Sequence, residues 1–253
     1  MLDVKDDGPV RTLTLARPEV RNAFNDELIS ALKTQFQNPG SARAIIVRGE
    51  GAAFCAGGDL QWMKKAANYT REQNIADAMN LAEMLHAVSH CPAVVIAMVQ
   101  GAAFGGGCGL VAAADVAIAQ EGTKFAFSEV KLGLIAATIS AIVIPKIGAG
   151  HARSLFATGE VFETDKALRI GLVHDVAADA EAAERILSGK LKAILSAGPS
   201  SVAASKQLVL TAPHTLEKTA EMLADSRATD EGKEGVAAFL DKRKASFVVE
   251  SPL

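Results

Sequence analysis

The sequence predicts an α/β fold with a parallel or mixed sheet, followed by a C-terminal α-helical region. The first observation is that short β-branched runs alternate with helical patterns over residues 1–150, as in successive β-α units. The second is that helical patterns dominate from Ile139 onward and are separated by glycines and a proline. We therefore expect a core at residues 1–150 and a helical region at residues 151–253, with the boundary between Pro145 and Phe162.

The first elements of the core are two strands that flank a helix. Residues 10–16 alternate apolar and polar side chains, which predicts an edge or half-buried strand, and residues 44–48 predict a buried one. The intervening helix has Asn25 as its candidate N-cap, and its apolar residues recur every four positions: Leu28, Leu32 and Phe36. The next segment, GEGAAFCAGGDL, is a Gly/Ala loop that ends where a helix, DLQWMKKA, can begin.

The clearest amphipathic helix covers residues 70–88, where apolar residues recur every three to four positions and Thr70 is placed to cap the start. Near its end, His86 and His90 have the i, i+4 spacing of metal ligands on a helix. No Glu follows His86 and no third ligand is evident, so the zinc-protease pattern is absent. Histidines near a helix C-terminus more often interact with the helix dipole, and we predict no metal site here.

Residues 93–129 organise the rest of the chain. They begin with an apolar run that predicts a strand buried on both faces, and five glycines follow within nine residues. A short apolar helix then ends at Asp115, and two strand-like pieces, VAIAQ and KFAFSE, lead to the carboxylate of Glu129. A glycine cluster before a helix leaves backbone N–H groups free at the positive end of the helix dipole, where they can stabilise an oxyanion.

Two other interpretations of this stretch are weaker. Residues 93–114 carry no charge, and Gly101 and Gly105 match a G-x-x-x-G pattern, which is compatible with a membrane helix. The β-branched first half and the lack of basic flanking residues argue against it. A dinucleotide-binding loop needs G-x-G-x-x-G, and Leu110 breaks the nearest match. We therefore predict neither a membrane span nor a dinucleotide loop.

Composition narrows the function classes further. The 253 residues are 49% apolar and 22% charged, which is ordinary for a globular protein, and the net charge of −3 gives no electrostatic case for nucleic acid. The start, MLDVKDDG, lacks the basic and apolar regions of a signal peptide. Three cysteines, Cys55, Cys91 and Cys108, lack metal-ligand spacing and suggest a reducing compartment. These features predict a cytoplasmic protein.

Five motifs occur along the chain in a specific order: RPEVRNAF, FCAGGDL, QGAAFGGGCGLVAAADVAIA, FAFSEVKLGL and EGVAAFLDKRKASF. Together they resemble the crotonase family, the enoyl-CoA hydratases and isomerases, and in motif they are most similar to methylglutaconyl-CoA-type hydratases. The resemblance covers nearly the whole chain. It implies a crotonase-like spiral of β-β-α units with a C-terminal helical region, and homotrimers that often pair into hexamers. It also implies acyl-CoA thioester substrates, with no metal or redox cofactor.

The resemblance assigns roles to individual residues. The backbone N–H groups of Gly58 and Gly106 correspond to the two donors of the family's oxyanion hole, which polarise the thioester carbonyl and stabilise an enolate. Lys242 in the KRK segment matches a lysine that lies near the CoA 3′-phosphate, sometimes from a neighbouring subunit. Four further residues of the two glycine loops are predicted to bind substrate: Ala56, Asp59, Leu60 and Gly105. Asp59 is also positioned to cap the helix that follows it.

The acid–base residues depart from the family pattern. Hydratases of this family commonly hold a water between two glutamates, but the first of these positions is Gly109 here and only the second, Glu129, is present. Glu129 lies among apolar residues in sequence, which predicts a burial that would raise its pKa and suit it to act as a general base. We therefore expect Glu129 to be the proton-transferring residue.

Three classes of function remain open. The leading one is a hydratase that adds water to an α,β-unsaturated acyl-CoA, with a branched acyl chain as one option because SEVKLGLIAATIS resembles hydratases of methylglutaconyl-type substrates. The second is a Δ3,Δ2-enoyl-CoA isomerase, which Gly109 favours because a single carboxylate can move a proton between C2 and C4. The third is a non-catalytic acyl-CoA-binding protein, because Ala136 and Ala137 stand where many relatives have Pro and Gly.

Overall fold

The computed structural model of the protein describes residues 1–252, which form nine β-strands and ten α-helices. In chain order the strands are β1 (Leu2–Asp7), β2 (Val10–Leu15), β3 (Ala44–Gly49), β4 (Val94–Val99), β5 (Ala102–Phe104), β6 (Val116–Gln120), β7 (Lys124–Ala126), β8 (Val161–Glu163) and β9 (Asp175–Ala177). The helices are α1 (Asp26–Gln37), α2 (Leu60–Ala66), α3 (Arg71–His90), α4 (Gly106–Ala113), α5 (Ala137–Thr158), α6 (Thr164–Arg169), α7 (Ala180–Ser196), α8 (Pro199–Leu210), α9 (Leu216–Ala228) and α10 (Asp230–Leu240).

Two sheets form the scaffold. The larger has six strands in the order β1-β2-β3-β4-β6-β9, and every pairing is parallel except that of β1 with β2. The smaller contains β5, β7 and β8. All six residues of the central strand β4 are buried, which explains its uninterrupted apolar sequence, because a parallel strand covered on both faces has no solvent side.

Strands of the two sheets alternate along the chain. β4 enters the large sheet, β5 the small sheet, and α4 follows; β6 and β7 repeat this pattern and lead to α5. This is the spiral of β-β-α units that the family resemblance implied. The turn from β4 into β5 and then α4 brings the glycine cluster to the place where the two sheets meet, which positions the candidate site.

Four strands were missed by the sequence patterns: β1, β5, β8 and β9. β5 has only three residues and lies among the glycines that follow β4. β1 is a charged edge strand, LDVKDD, in which only Leu2 is more than marginally covered, so it carries little hydrophobic signal. β8 and β9 lie in the region expected to be helical, and β9 adds to the large sheet beside β6. Both have only three residues, too few for a periodicity. They tie residues 151–253 to the core sheets, so this region is not purely helical.

Several helix boundaries follow their local signals. Asn25 caps α1 by accepting from the Leu28 N–H, and Thr70 and Gln73 form a reciprocal capping box at the start of α3. α5 joins the two predicted helical patterns in this region, but it is kinked at Gly148, whose φ is +78°. Pro145 just before this kink removes one backbone donor, which is a common cause of such a break.

The C-terminal helices differ in how they contact the core. On α8, Lys206 forms an ion pair at 2.7 Å with Asp115, which also accepts from the Val95 N–H, so Asp115 links α8 to the large sheet. α9 and α10 instead leave large apolar side chains in solvent, with Leu216 84% and Phe239 81% exposed. Within residues 1–252, no helix is long and apolar enough to cross a bilayer.

Candidate active site

The Gly58 N–H is available because of how its loop is held. Phe24 pairs with this loop on both sides of Gly58: its N–H donates to the Gly57 carbonyl at 2.7 Å, and its carbonyl accepts from the Asp59 N–H at 2.8 Å. In such a parallel bridge, the N–H of the middle residue points away from the partner strand. The Gly58 N–H therefore faces away from Phe24 and can donate to a ligand.

Gly106 is the first residue of α4, so its N–H has no carbonyl to bind within the helix and lies at the positive end of the helix dipole. The ring of Phe24 packs against it, and a Cβ on Gly106 would lie 3.0 Å from Phe24 Cδ2. The same phenylalanine thus contacts both predicted oxyanion loops. Gly105 has a φ of +50°, which favours glycine, and its own N–H is used by the Ala126 carbonyl.

Glu129 lies beside Gly105. A Cβ on Gly105 would be 3.2 Å from Glu129 Oε1, so the absence of a side chain at Gly105 leaves room for the carboxylate beside this loop. Glu129 is not at the end of a strand, as the sequence suggested, because β7 ends at Ala126 and Glu129 opens a short 3-10 turn, Glu129–Leu132. Its Oε2 is buried and accepts no hydrogen bond from residues 1–252. Burial raises the pKa of Glu129 above its ordinary value, which suits a general base.

Asp59 has the opposite surroundings. It is only 6% exposed, its Oδ1 accepts from the Gln61 and Trp62 N–H groups at the start of α2, and its Oδ2 accepts from Arg17 at 2.7 Å. The Arg17 guanidinium holds the pKa of Asp59 below its usual range. Both oxygens are therefore occupied in supporting the loop, and the cap anticipated from the sequence is present.

Residues of the motif RPEVRNAF hold the loop of Gly58 and Asp59 in place. The second guanidinium nitrogen of Arg17 donates to the Ala23 carbonyl at 2.6 Å, which fixes the residue before Phe24. Asn22 is fully buried, with its amide donating to the Glu50 and Ala53 carbonyls at 2.8 Å. Its φ of +56° is a conformation that Asn tolerates better than most residues, which gives a physical reason for this residue type.

Two cavities meet at Gly58. The Glu129 cavity, of about 680 Å³, contains Gly58, Gly106 and Glu129 and extends to α3. The Arg17 cavity, of about 750 Å³, is lined by three cations, Arg17, Arg21 and Lys65. Ala56, Gly58, Leu60 and Trp62 line both. The two cavities are therefore adjoining parts of one cleft, with Gly58 at the junction.

The structure brings most of the predicted site residues to this cleft. Ala56, Gly58 and Leu60 line both cavities, Gly105, Gly106 and Glu129 line the Glu129 cavity, and Asp59 lines the Arg17 cavity. Lys242 lines neither cavity of this chain. It is exposed at the end of α10, where its φ is +53°. The roles of all eight residues stay predictions.

The position of the family's first glutamate is filled by apolar side chains. A Cβ on Gly109 would lie 2.8 Å from Ile139 Cγ2 and 3.2 Å from Leu85 Cδ1. A longer side chain at this position therefore requires Ile139 to move. Gly109 is thus part of the packing between α4, α3 and α5, and Ile139 and Leu85 occupy the space beside it.

The two cysteines beside the predicted oxyanion loops are not nucleophiles. Cys55 and Cys108 are fully buried, and burial raises the pKa of Cys55 to about 12 and that of Cys108 as well. Both thiols stay protonated at neutral pH, and only a thiolate attacks readily. Within residues 1–252 no group of three or more His, Cys, Asp or Glu side chains could hold a metal ion.

Sequence reasoning missed three side chains that shape the cleft. Arg17 entered the sequence analysis only as the first residue of the motif RPEVRNAF and Trp62 only as part of the helix DLQWMKKA, and Asp77 was not singled out. Trp62 Nε1 donates to Asp77 Oδ1 at 3.0 Å across the Glu129 cavity, and both residues line it. A lone tryptophan next to a glycine loop was the available signal for Trp62, whereas nothing local pointed to its partner 15 residues later.

Comparison with known proteins identifies the family of the chain. A family model described as enoyl-CoA hydratase/isomerase matches residues 6–249. The crotonyl-CoA hydratase of Syntrophomonas wolfei is 32% identical over 248 residues, covering 93% of each chain.

Two solved structures are similar over nearly the whole chain. AtuE of Pseudomonas aeruginosa has a TM-score of 0.94 and 34% identity, covering 98% of this chain and 99% of that one. An enoyl-CoA hydratase from Shewanella pealeana has a TM-score of 0.92 and 36% identity, covering 97% of this chain and 95% of that one. With the matching family model and a two-sheet spiral that carries both glycine loops, the chain belongs to the enoyl-CoA hydratase/isomerase family.

Proposed function

We propose that the protein is an enoyl-CoA hydratase that acts on α,β-unsaturated acyl-CoA thioesters and uses Glu129 as its single proton-transferring residue. The observation that carries this proposal is the buried, unpaired Oε2 of Glu129 in a cavity that also contains Gly58 and Gly106. A buried carboxylate without a partner is costly for the fold, and such groups concentrate at functional sites.

One carboxylate can account for the whole reaction. The thioester oxygen binds at the N–H groups of Gly58 and Gly106, which withdraws electrons from the C2=C3 bond. Glu129 takes a proton from water as the water oxygen bonds to C3, and the resulting enolate is stabilised by the same two donors. The protonated Glu129 then gives that proton to C2. Water is added across the double bond, and Glu129 returns to its ionised form.

The Arg17 cavity is suited to the CoA moiety. Arg17 is paired with Asp59, and Lys65 lies 3.4 Å from Asp26, whereas Arg21 has no ion-pair partner among residues 1–252. An unpaired guanidinium at the mouth of the cavity can bind a phosphate bidentately. Lys242 could reach a bound CoA only from another subunit, because it lines neither cavity of its own chain.

The second candidate is a Δ3,Δ2-enoyl-CoA isomerase, and the packing around Gly109 favours it. Ile139 and Leu85 fill the position of a second glutamate, which leaves Glu129 without a neighbouring carboxylate to hold a water. In an isomerase Glu129 would remove a proton from C2 of a 3-enoyl-CoA and return it to C4, with the dienolate in the same oxyanion hole.

Parallel assays with crotonyl-CoA and a 3-enoyl-CoA distinguish these reactions. A 3-enoyl-CoA and a 2-enoyl-CoA have the same mass, so products should be separated by chromatography against standards and hydrated products identified by their mass. A product heavier by one water from crotonyl-CoA supports the hydratase. Conversion of the 3-enoyl-CoA to a 2-enoyl-CoA without hydration supports the isomerase. Binding without either reaction would favour a non-catalytic acyl-CoA-binding protein.

We also propose that the protein assembles as a homotrimer or hexamer, with α9 and α10 in the interface. The exposed Leu216 and Phe239 on these helices form apolar surface that a partner copy would bury. Multi-angle light scattering should give three or six times the chain mass. Phe239→Glu should shift the mass toward the monomer, and a monomeric wild-type protein at micromolar concentration would contradict the proposal.

A further inference from the structure

The end of the Glu129 cavity that is formed by α3 carries polar groups that the proposed reaction does not use. Asn74 and Asp77 both line this cavity, three residues apart on one face of α3. The other residues around them are apolar, including Met63, Ala66 and Leu81. An acyl chain that leaves the oxyanion hole along the cavity therefore meets these two side chains.

Trp62 separates Asp77 from the reacting atoms. The six-membered ring of the indole lies next to Gly58, with Cζ3 3.4 Å from the position of a Gly58 Cβ, and Nε1 on the other ring donates to Asp77 Oδ1 at 3.0 Å. Asp77 is thus one indole width from the oxyanion loop. This distance suits contact with the distal part of an acyl chain rather than with C2 or C3.

The polar atoms left free at this end are hydrogen-bond acceptors. Asp77 Oδ1 is used by Trp62, and within residues 1–252 its Oδ2 accepts no hydrogen bond and forms no ion pair. Asn74 uses its Nδ2 to donate to the Tyr69 and Thr70 carbonyls, which leaves its Oδ1 as the free atom. The free protein atoms here are acceptors, so a ligand group that forms a hydrogen bond with them must be a donor.

The charged residues that line the two cavities also bear on which acyl groups can bind. Among the described residues, no Lys, Arg or His lines the Glu129 cavity, whereas three cations line the Arg17 cavity. A carboxylate at the end of an acyl chain would lie close to Asp77 without a compensating cation, and like charges in a partly desolvated cavity repel.

We propose that Asp77, assisted by Asn74, determines acyl-chain specificity: the cavity accepts acyl-CoA thioesters whose chain ends in an apolar or hydrogen-bond-donating group such as a hydroxyl, and rejects those that end in a carboxylate. This inference rests on the proposed function, because it requires the acyl chain to occupy the Glu129 cavity. It departs from the motif resemblance to methylglutaconyl-type hydratases, whose substrates carry a distal carboxylate.

Binding can be measured without turnover, because Trp62 is the single tryptophan of the chain and lines both cavities. Saturated six-carbon ligands form a matched set: hexanoyl-CoA, 6-hydroxyhexanoyl-CoA and adipoyl-CoA. The corresponding five-carbon set, ending in glutaryl-CoA, guards against a length effect. Fluorescence titration should give a Kd for adipoyl-CoA about tenfold higher than for hexanoyl-CoA, and a Kd for the hydroxyl ligand equal to or lower than that of hexanoyl-CoA.

Asp77→Asn tests the charge alone, because the amide oxygen can still accept from Trp62 Nε1. In this variant, the Kd for adipoyl-CoA should exceed the Kd for hexanoyl-CoA by about threefold or less, instead of about tenfold. Asp77→Ala provides a second variant that removes both functions of the side chain. Glu72→Gln is the matched control, since Glu72 is an exposed carboxylate in the first turn of the same helix and does not line the cavity. The gap should be unchanged in this control.

Equal affinity of the wild-type protein for adipoyl-CoA and hexanoyl-CoA would overturn the inference, as would a gap that persists in both Asp77 variants. A uniform loss of kcat in Asp77→Asn for all substrates, with unchanged Kd values, would assign Asp77 to the chemistry and overturn it too. These results leave the proposed function intact. Failure of every CoA thioester to bind would overturn the proposed function together with this inference.

Discussion

Two carboxylates flank the cleft in opposite environments. Asp59, beside Gly58, has both oxygens occupied by backbone N–H groups and Arg17, and its pKa is lowered. Glu129, beside Gly105, has a buried oxygen without a partner, and its pKa is raised by burial. A carboxylate whose charge is stabilised on every side has a lowered pKa and is a poor base. A carboxylate whose charge is destabilised by burial has a raised pKa and accepts a proton more readily.

Because the two carboxylates have opposite environments, we expect the Asp59 loop and the Glu129 turn to have different roles. The Asp59 loop is rigidified by its ion pair and helix cap, so that the Gly58 N–H is held in place before a substrate arrives. The Glu129 turn leaves Oε2 without a hydrogen-bond partner, an arrangement that lowers the stability of the fold and suits the proton transfer proposed for Glu129. Mutation of Asp59 should therefore affect mainly the stability of the fold, and mutation of Glu129 should affect mainly turnover.

The largest effect is expected for Glu129→Gln, which keeps the size of the side chain but removes the base. Turnover should fall by at least about 100-fold, the usual size of a general-base contribution. Steady-state kinetics with circular dichroism and a melting curve would establish that the fold is intact. Near-normal turnover in a folded variant would exclude Glu129 as the proton-transferring residue.

Asp59→Asn should act on the fold instead. The amide oxygen can still cap α2, but the charge that pairs with Arg17 is lost, and breaking a nearly buried ion pair costs about 3 kcal/mol of unfolding free energy. Urea unfolding measures this loss, and turnover at a temperature where the variant is folded should fall much less than in Glu129→Gln. Arg17→Met completes a double-mutant cycle, and independent effects of the two changes would argue against the pairing.

The pH dependence should show the raised pKa of Glu129. Because the ionised form is the base, kcat/KM should decline by about tenfold per pH unit below that pKa, and the decline should begin above the pH expected for an ordinary glutamate. The folded state also holds this proton to a higher pH than the unfolded chain. Stability is therefore lost as pH rises from the unfolded pKa through the folded one.

Glu129→Gln removes this loss, so its stability relative to wild type should increase across the same pH window and then level off. Unfolding measured in urea at several pH values provides the check. A difference between the two proteins that does not vary with pH would mean that Glu129 is not perturbed in the folded state.

The smallest effect is expected from restoring a second carboxylate. Gly109→Glu alone should lose about 1–3 kcal/mol of stability because its Cβ would overlap Ile139. Combined with Ile139→Ala, the glutamate gains space, and hydration of crotonyl-CoA should rise by about tenfold if a second carboxylate is limiting. Ile139→Ala alone is the control. An unchanged hydration rate in the folded double variant would mean that one carboxylate suffices.

The sequence by itself determined the elements whose signals are local. The apolar run of β4 and the cap at Thr70 depend on neighbouring residues, and both were found where the pattern indicated. The glycine cluster was expected before a helix, but Gly106, Gly107 and Gly109 lie within α4. The order of the motifs was also sufficient to identify the family. The residues expected at the cleft do meet there, apart from Lys242.

Only the tertiary structure decided the pairings between distant residues. The ion pair of Arg17 with Asp59 spans 42 positions, and Trp62 meets Asp77 because α2 and α3 fold over the same cavity. The placement of the three-residue strand β9 beside β6 likewise depends on the sheet edge that is open to it. The lack of a hydrogen-bond partner at Glu129 Oε2 is also decided by the tertiary structure. It results from everything that packs around the turn, and no spacing along the chain encodes it.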